Sequence, residues 1–296
     1  MTVQESFDNF IVSRRLADLS PKTIYDYELF ISPFVAYVGG DKWIENVTQA
    51  DIQSYIAYVL NKPLSKSTRA TYIRHVKIFL RWAGKEYGAS YDAKAIKIPK
   101  SPKRNVHIYT DDEIKRLFSS IHSTFDWLEY RNKGIVALMY DSGLRQSEVC
   151  GLLKANMSFT SDLITVRGKG DKERTVPLGS LTKRYLSEYL QLCPFKSKYV
   201  FVDLNGNPLT GNAVRLVITR LSTLLPFELS SHKLRHNFAT NYCLDQYRQN
   251  GQVDIYRLMY LMGHEDISTT RRYLHMANEI LASQSCISHL DNIIKI

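Results

Sequence analysis

Apolar residues recur at helical spacing through most of the first 87 positions. Ser20-Pro21 predicts a helix start, because a serine hydroxyl can cap free N–H groups and proline lacks only an N–H that is unpaired there anyway. Behind it Ile24, Tyr27, Phe30, Ile31 and Phe34 make one stripe, which Gly39-Gly40 ends. A second helix is expected from about Thr48 to Leu60, and Ser67 opens a third. On the third, Tyr72, Val76, Phe79 and Leu80 form the apolar face while Arg69, Arg74, Lys77 and Arg81 project elsewhere.

The periodicity stops between Gly88 and Asn105, where Pro99 and Pro102 bracket the lysine-rich IKIPKSPKR. This stretch is expected to be an interdomain linker without an element of its own. Thr110-Asp111-Asp112-Glu113 then predicts a capping box and a new helix. Gly134–Tyr140 reads as a buried helix broken at Ser142-Gly143, and Leu163–Leu178 reads as a β-hairpin, with two β-branched runs flanking RGKGDKER. The remainder is helical and ends in a tail, Glu279–Ile296, with Ile280, Leu281, Ile287, Leu290, Ile293 and Ile294 at near-helical spacing. The fold expected is mainly α with a small β-hairpin or sheet in its second part: a helical domain at 1–87, a basic linker at 88–105 and an α+β domain at 106–296.

Composition narrows the class. The 296 residues are 44% hydrophobic, enough for two ordinary cores. No apolar run approaches the roughly 18 residues of a membrane span, and the N-terminus lacks a secretion-signal layout, so a cytoplasmic location without membrane contact is expected. Cys150, Cys193, Cys243 and Cys286 lie far apart and suggest buried free thiols, not a disulfide framework. The net charge is +10, and residues 62–104 alone carry twelve Lys and Arg against two acids, a surplus equal to that of the whole chain. A polyanion is one natural partner for such a stretch, with Arg69, Arg74, Lys77, Arg81, Lys100, Lys103 and Arg104 as candidate contacts. A solvated, solubilising face fits the charge equally well.

Five segments carry candidate chemistry: GLRQSEV (Gly143–Val149), RGKGDKER (Arg167–Arg174), HKLRH (His232–His236), MGH (Met262–His264) and TTRRYLH (Thr269–His275). Each is weak alone. Arg145 is as readily a partner of Glu148 as an anion ligand. His232 and Arg235 share a helix face, Lys169 sits at a glycine-flanked hairpin tip, and any one of nineteen tyrosines is most often a core residue. His232 and His236 have the spacing of a zinc helix motif, but Lys233 stands where that motif needs glutamate, so no metal is expected.

In order, however, Arg145, Lys169, His232-x-x-Arg235, His264 and Tyr273 resemble the tyrosine recombinases of the phage-integrase and Xer class over residues 106–275. The basic helical part is more loosely similar to that family's core-site-binding domain. The resemblance implies a two-domain clamp around duplex DNA at a specific site, a tetramer in the synaptic complex, and strand exchange through a Holliday junction without metal, ATP or other cofactor. It implies Tyr273 as nucleophile, Arg145, Arg235 and His264 as phosphate ligands, His232 as general base and Lys169 as general acid. Chromosome dimer resolution, integration or excision, and transposon cointegrate resolution all share this chemistry. The absence of an obvious N-terminal arm-binding domain leans toward a simple Xer-like or resolvase-like member. Type IB topoisomerase-like relaxation and a vestigial DNA-binding accessory protein are the rival readings. Two departures stand out: polar Asp245–Val253, expected to lengthen a loop, and the basic pair Arg271-Arg272 before the tyrosine.

Overall fold

The structure, a computed structural model, describes residues 1–88, 91–100, 106–168 and 172–284. It divides into two compact units, Met1–Arg104 and Asn105–Ile296.

The first unit contains α1 (Val3–Leu16), α2 (Pro21–Val38), α3 (Gln49–Asn61) and α4 (Lys66–Tyr87). The side chains of Thr2, Ser20, Thr48 and Ser65 each accept an N–H from the first helical turn, so local chemistry fixes every start. Helix α4 opens at Lys66, one residue before the expected Ser67, because Ser65 is its cap and its Oγ accepts from Thr68 N at 3.0 Å. Phe10, Ile31, Phe34, Phe79 and Leu80 fill the core. The expected linker is partly absorbed here: Tyr91, Ala93 and Ile96 are buried in this core, and Ala93–Ala95 makes one 3-10 turn. Lys77 Nζ donates to the carbonyls of Lys94 (3.1 Å) and Ile96 (2.7 Å), and Tyr91 donates to Leu80 O (3.1 Å). Buried side chains and these hydrogen bonds together pin a segment too short for any periodicity.

The second unit contains α5 (Asp111–Ser119), α6 (Asp126–Asp141), α7 (Gln146–Cys150), β1 (Met157–Ser158), β2 (Leu163–Arg167), β3 (Glu173–Pro177), α8 (Ser180–Leu192), α9 (Gly211–Leu224), α10 (Ser231–Asn250), α11 (Ile255–Met262) and α12 (Ile267–Gln284). Mostly helical, with a three-stranded antiparallel sheet in the order β1-β2-β3, it has the expected fold class. Ile164, Val166 and Val176 form the buried face of the hairpin, and β1 adds an edge strand that no pattern announced. Leu138 and Met139 of α6 and Leu234 and Ala239 of α10 lie fully buried at the centre.

Asp245–Asn250 departs from expectation. These residues continue α10 to Gly251, whose φ of 69° ends the helix, so most of the polar insert is helical surface and only Gly251–Val253 lies outside the helix. Of the predicted tail, Ile280 and Leu281 pack against the core of their own unit, and residues 285–296 lie outside the described residues.

Candidate active site

Two left-handed glycines aim the site. After α6 the chain turns at Gly143 (φ +64°), where an added Cβ would lie 2.3 Å from the Phe238 ring. That turn places Arg145 at the N-cap of α7, its side chain about one-third exposed. Gly263 (φ +56°) ends α11, and a Cβ there would lie 3.0 Å from Arg174 Nη1 and 3.3 Å from Arg145 Nη1. The close approach lets Arg145 Nη2 donate to Gly263 O at 2.8 Å and sets His264 beside it.

One carboxylate organises three guanidinium groups. Glu148, 5% exposed, accepts from Arg145 N (2.7 Å), Arg145 Nη1 (2.8 Å) and both Nη atoms of Arg174 (2.7 and 2.8 Å). Arg235 Nη1 lies 3.8 Å from the same carboxylate. Burial pushes the Glu148 pKa up, but the Arg174 and Arg145 contacts outweigh it and hold the group at about 2. Arg235 also donates to the carbonyls of Gly143 and Met262, and Arg174 Nε donates to Leu261 O at 2.8 Å. These bonds join α7, β3, α10 and the end of α11 into one frame. Burial, with Arg145 nearby, lowers the Arg235 guanidinium to about 9.

Burial and the surrounding guanidinium groups lower all three site imidazoles below their ordinary value. His264 is pushed down to about 4 by burial and then by Arg235 and Arg145, and its Nδ1 is paired with Thr270 Oγ1 at 2.9 Å. His236, 3% exposed, falls to about 3 through burial, His232 and Arg272. His232 is lowered by partial burial of its ring and then by Arg272 and Arg235, and its Nε2 is 2.6 Å from His236 Nε2. Tyr273 on α12 is 1% exposed and accepts from Arg272 Nη2 at 3.0 Å. Among the described residues no group of three or more His, Cys, Asp or Glu side chains is placed to hold a metal ion.

Arg145, His232, Arg235, His264 and Tyr273 all line one cavity of about 490 Å³. The sixth expected residue, Lys169, lies outside the described residues. Its flanks, Gly168 and Lys172, line a second cavity together with Arg145 and His264. Lys103 and Arg104 also lie outside the described residues. Arg74, Arg81 and Lys100 are exposed, whereas Lys77 is engaged as above and Arg69 Nη1 donates to Leu60 O at 2.5 Å.

Sequence reasoning missed Arg174 and Arg215 at the site, noted Arg272 only as part of a basic pair without a role, and treated the Arg145–Glu148 pair as an alternative to anion binding when the pair exists beside the cavity. A signal for Arg174 was present: on β3 it shares the inward face of Val176, where a charge is out of pattern unless paired.

The phage integrase family model matches residues 108–279, and the model of the phage integrase N-terminal SAM-like domain matches residues 5–87. The chain belongs to the phage integrase family. The recombinase is 30% identical over 276 residues to the tyrosine recombinase XerC of Bacillus pumilus, covering 88% of each chain. It is 27% identical over 287 residues to XerC of Staphylococcus carnosus, covering 94% of each. Among solved structures it is similar to the Tn1549 transposon integrase in complex with circular intermediate DNA, with TM-score 0.75, 20% identity and coverage of 92% of this chain and 95% of that one. A lambda integrase dimer bound to a core site gives TM-score 0.73 at 18% identity, over 92% and 95%. These two likenesses are of fold. With its XerC relatives, family membership makes the chain a tyrosine site-specific recombinase. None of its described helices is long and apolar enough to cross a membrane.

Proposed function

We propose that this recombinase cleaves and rejoins duplex DNA at a specific site through a 3′-phosphotyrosyl link on Tyr273. The observation that carries the reading is the convergence of Tyr273 with two arginines and two histidines on one cavity. Arg145 and Arg235 line the same cavity with their orientations fixed by Glu148 and backbone carbonyls, the kind of preorganisation that would stabilise a pentavalent phosphorane. Neutral His264, with Nδ1 occupied by Thr270, has Nε2 left to donate to the same phosphate. Tyr273 Oη forms the new bond to phosphorus, the bond to the 5′ oxygen breaks, the phenolic proton passes to His232 and the Lys169 ammonium protonates the leaving oxygen. His232 is bonded to His236 here, so this proton transfer requires its ring to turn toward Tyr273. The link keeps the bond energy of the phosphodiester, and reversal by another 5′ hydroxyl reseals the strand.

Exchange through a Holliday junction by four protomers on two sites is the sequel we propose, as the resemblance of the chain's ordered motifs to the tyrosine recombinases implies. Arg74, Arg81, Lys100, Lys103 and Arg104 would contact the DNA backbone. Within that scheme the deciding experiment uses nicked suicide duplexes drawn from genomic fragments of the host. Wild type is expected to form a denaturant-resistant adduct, with the DNA mapped by mass spectrometry to Tyr273, and Tyr273→Phe to form none. No adduct across the pool, or one persisting in Tyr273→Phe, overturns the reading. A plasmid carrying two copies of the recovered site should yield recombinant circles. Efficient relaxation of a supercoiled plasmid lacking the site would instead indicate topoisomerase-like action.

A further inference from the structure

Arg271-Arg272 has no role in the scheme above, yet the two arginines behave differently. Consecutive side chains on a helix point about 100° apart, so residue i does not ordinarily meet the end of residue i+1. Arg272 nevertheless curls back across its neighbour: its guanidinium carbon is 5.0 Å from the centroid of the Tyr273 ring and Nη2 is 3.0 Å from Tyr273 Oη. The same nitrogen lies 3.4 Å from His236 Nε2. Tyr273 is almost wholly buried, and a buried hydroxyl requires a partner. Arg272 supplies it, and it lines the cavity that also holds Arg145, Arg235 and His264.

We infer that Arg272 is a catalytic residue that holds the phenolic oxygen of Tyr273 at the mouth of the phosphate site and stabilises negative charge on that oxygen as its proton leaves. The inference rests on Tyr273 being the nucleophile. A guanidinium suits both tasks, since it presents several N–H donors and a positive charge to the phenolic oxygen. Its contact with the nucleophile distinguishes it from Arg145 and Arg235, whose guanidinium groups meet the carboxylate of Glu148 and backbone carbonyls. Arg271, also exposed, remains available for the DNA backbone.

The test is single-turnover cleavage of the suicide duplex at saturating protein, with site affinity and melting temperature measured in parallel for wild type, Arg272→Gln and Arg272→Lys. Arg272→Gln is expected to cleave about 10²-fold more slowly, the usual cost of one preorganised donor, with affinity and melting little changed. Arg272→Lys should recover part of the rate, because a cation remains within reach. Wild-type rates in Arg272→Gln, a loss confined to affinity, or no recovery by lysine overturns the inference. If Arg272→Gln melts early, Arg272→Met, which keeps an apolar stem over the ring, takes its place in the same comparison. Failure of wild type to form the Tyr273 adduct would be a failure of the nucleophile assignment. A normal wild-type adduct with an undiminished Arg272→Gln rate removes this inference alone.

Discussion

On α4 of the first unit Arg74 and Arg81 stand in solvent, whereas in the second unit Arg174 and Arg235 are only 6% and 7% exposed and share Glu148. The same residue type therefore occupies two different settings. Exposed cations act by number: each neutralises a phosphate independently, and salt screens them all. Buried cations act by placement, because each needs a counter-charge and fixed acceptors to exist in the fold at all. The first arrangement tolerates change position by position. The second fails as a unit.

The largest effect follows from removing the shared counter-charge. Glu148→Gln keeps the side-chain shape but leaves Arg174 and Arg235 without the carboxylate that offsets their burial. The second unit should lose about 3–5 kcal/mol of stability, the range for breaking a buried ion pair from one side, and cleavage should fall with it. Thermal melting of wild type and variant measures this. An unchanged melting temperature would mean that the carbonyls of Gly143, Leu261 and Met262 suffice to hold the arginines.

Acid should distinguish the units next. His264 and His236 sit at about 4 and 3, below the ordinary imidazole value near 6.5. The unfolded chain therefore takes up their protons first, so stability is full above pH ~6.5 and declines as pH falls from there toward 3. Glu148, at about 2 against 4.5, adds a second loss only below pH ~4.5. In the first unit Asp51, held at about 2 by Lys42 and Thr48, likewise responds only in that lower window. Urea titrations read unit by unit by NMR should show the second unit weaker at pH 5 than at pH 7 and the first unit little changed. Equal weakening of both breaks the contrast.

The same division explains what could be read in the sequence. Starts such as Ser20-Pro21 and Thr110–Glu113 depend on three or four neighbouring residues, and the hairpin on simple alternation, so local pattern reveals them. The ordered set from Arg145 to Tyr273 was legible as a family spacing, and five of its six members meet on one cavity. The frame around them was not. Arg145 meets a carbonyl 118 positions away, and the sharing of Glu148 by α7 and β3 depends on tertiary packing that no periodicity encodes. The burial of Tyr91, Ala93 and Ile96 and the continuation of α10 through Asp245–Asn250 were hidden for the opposite reason. Their local composition resembles loop, and neighbouring structure decides otherwise.

The finest test of the contrast lies within α4, where four basic residues expected to act alike do not. Arg74 and Arg81 are free to meet a phosphate, while Lys77 already donates to the carbonyls of Lys94 and Ile96 and so ties the 91–96 segment to the helix. Under the proposed DNA contact, Arg74→Gln and Arg81→Gln should each weaken site binding a few-fold and reduce the slope of log affinity against log salt by about one. Lys77→Met should leave that slope unchanged and instead lower the stability of the first unit by about 1 kcal/mol, the net worth of its lost hydrogen bonds. Binding titrations across a salt series, paired with melting curves, separate the two outcomes. If Lys77→Met reduced the slope as Arg74→Gln does, the lysine would have to release both carbonyls on meeting DNA, leaving the 91–96 segment to its three buried side chains and the hydrogen bonds of Tyr91 and Asp92 to Leu80 and Gln49.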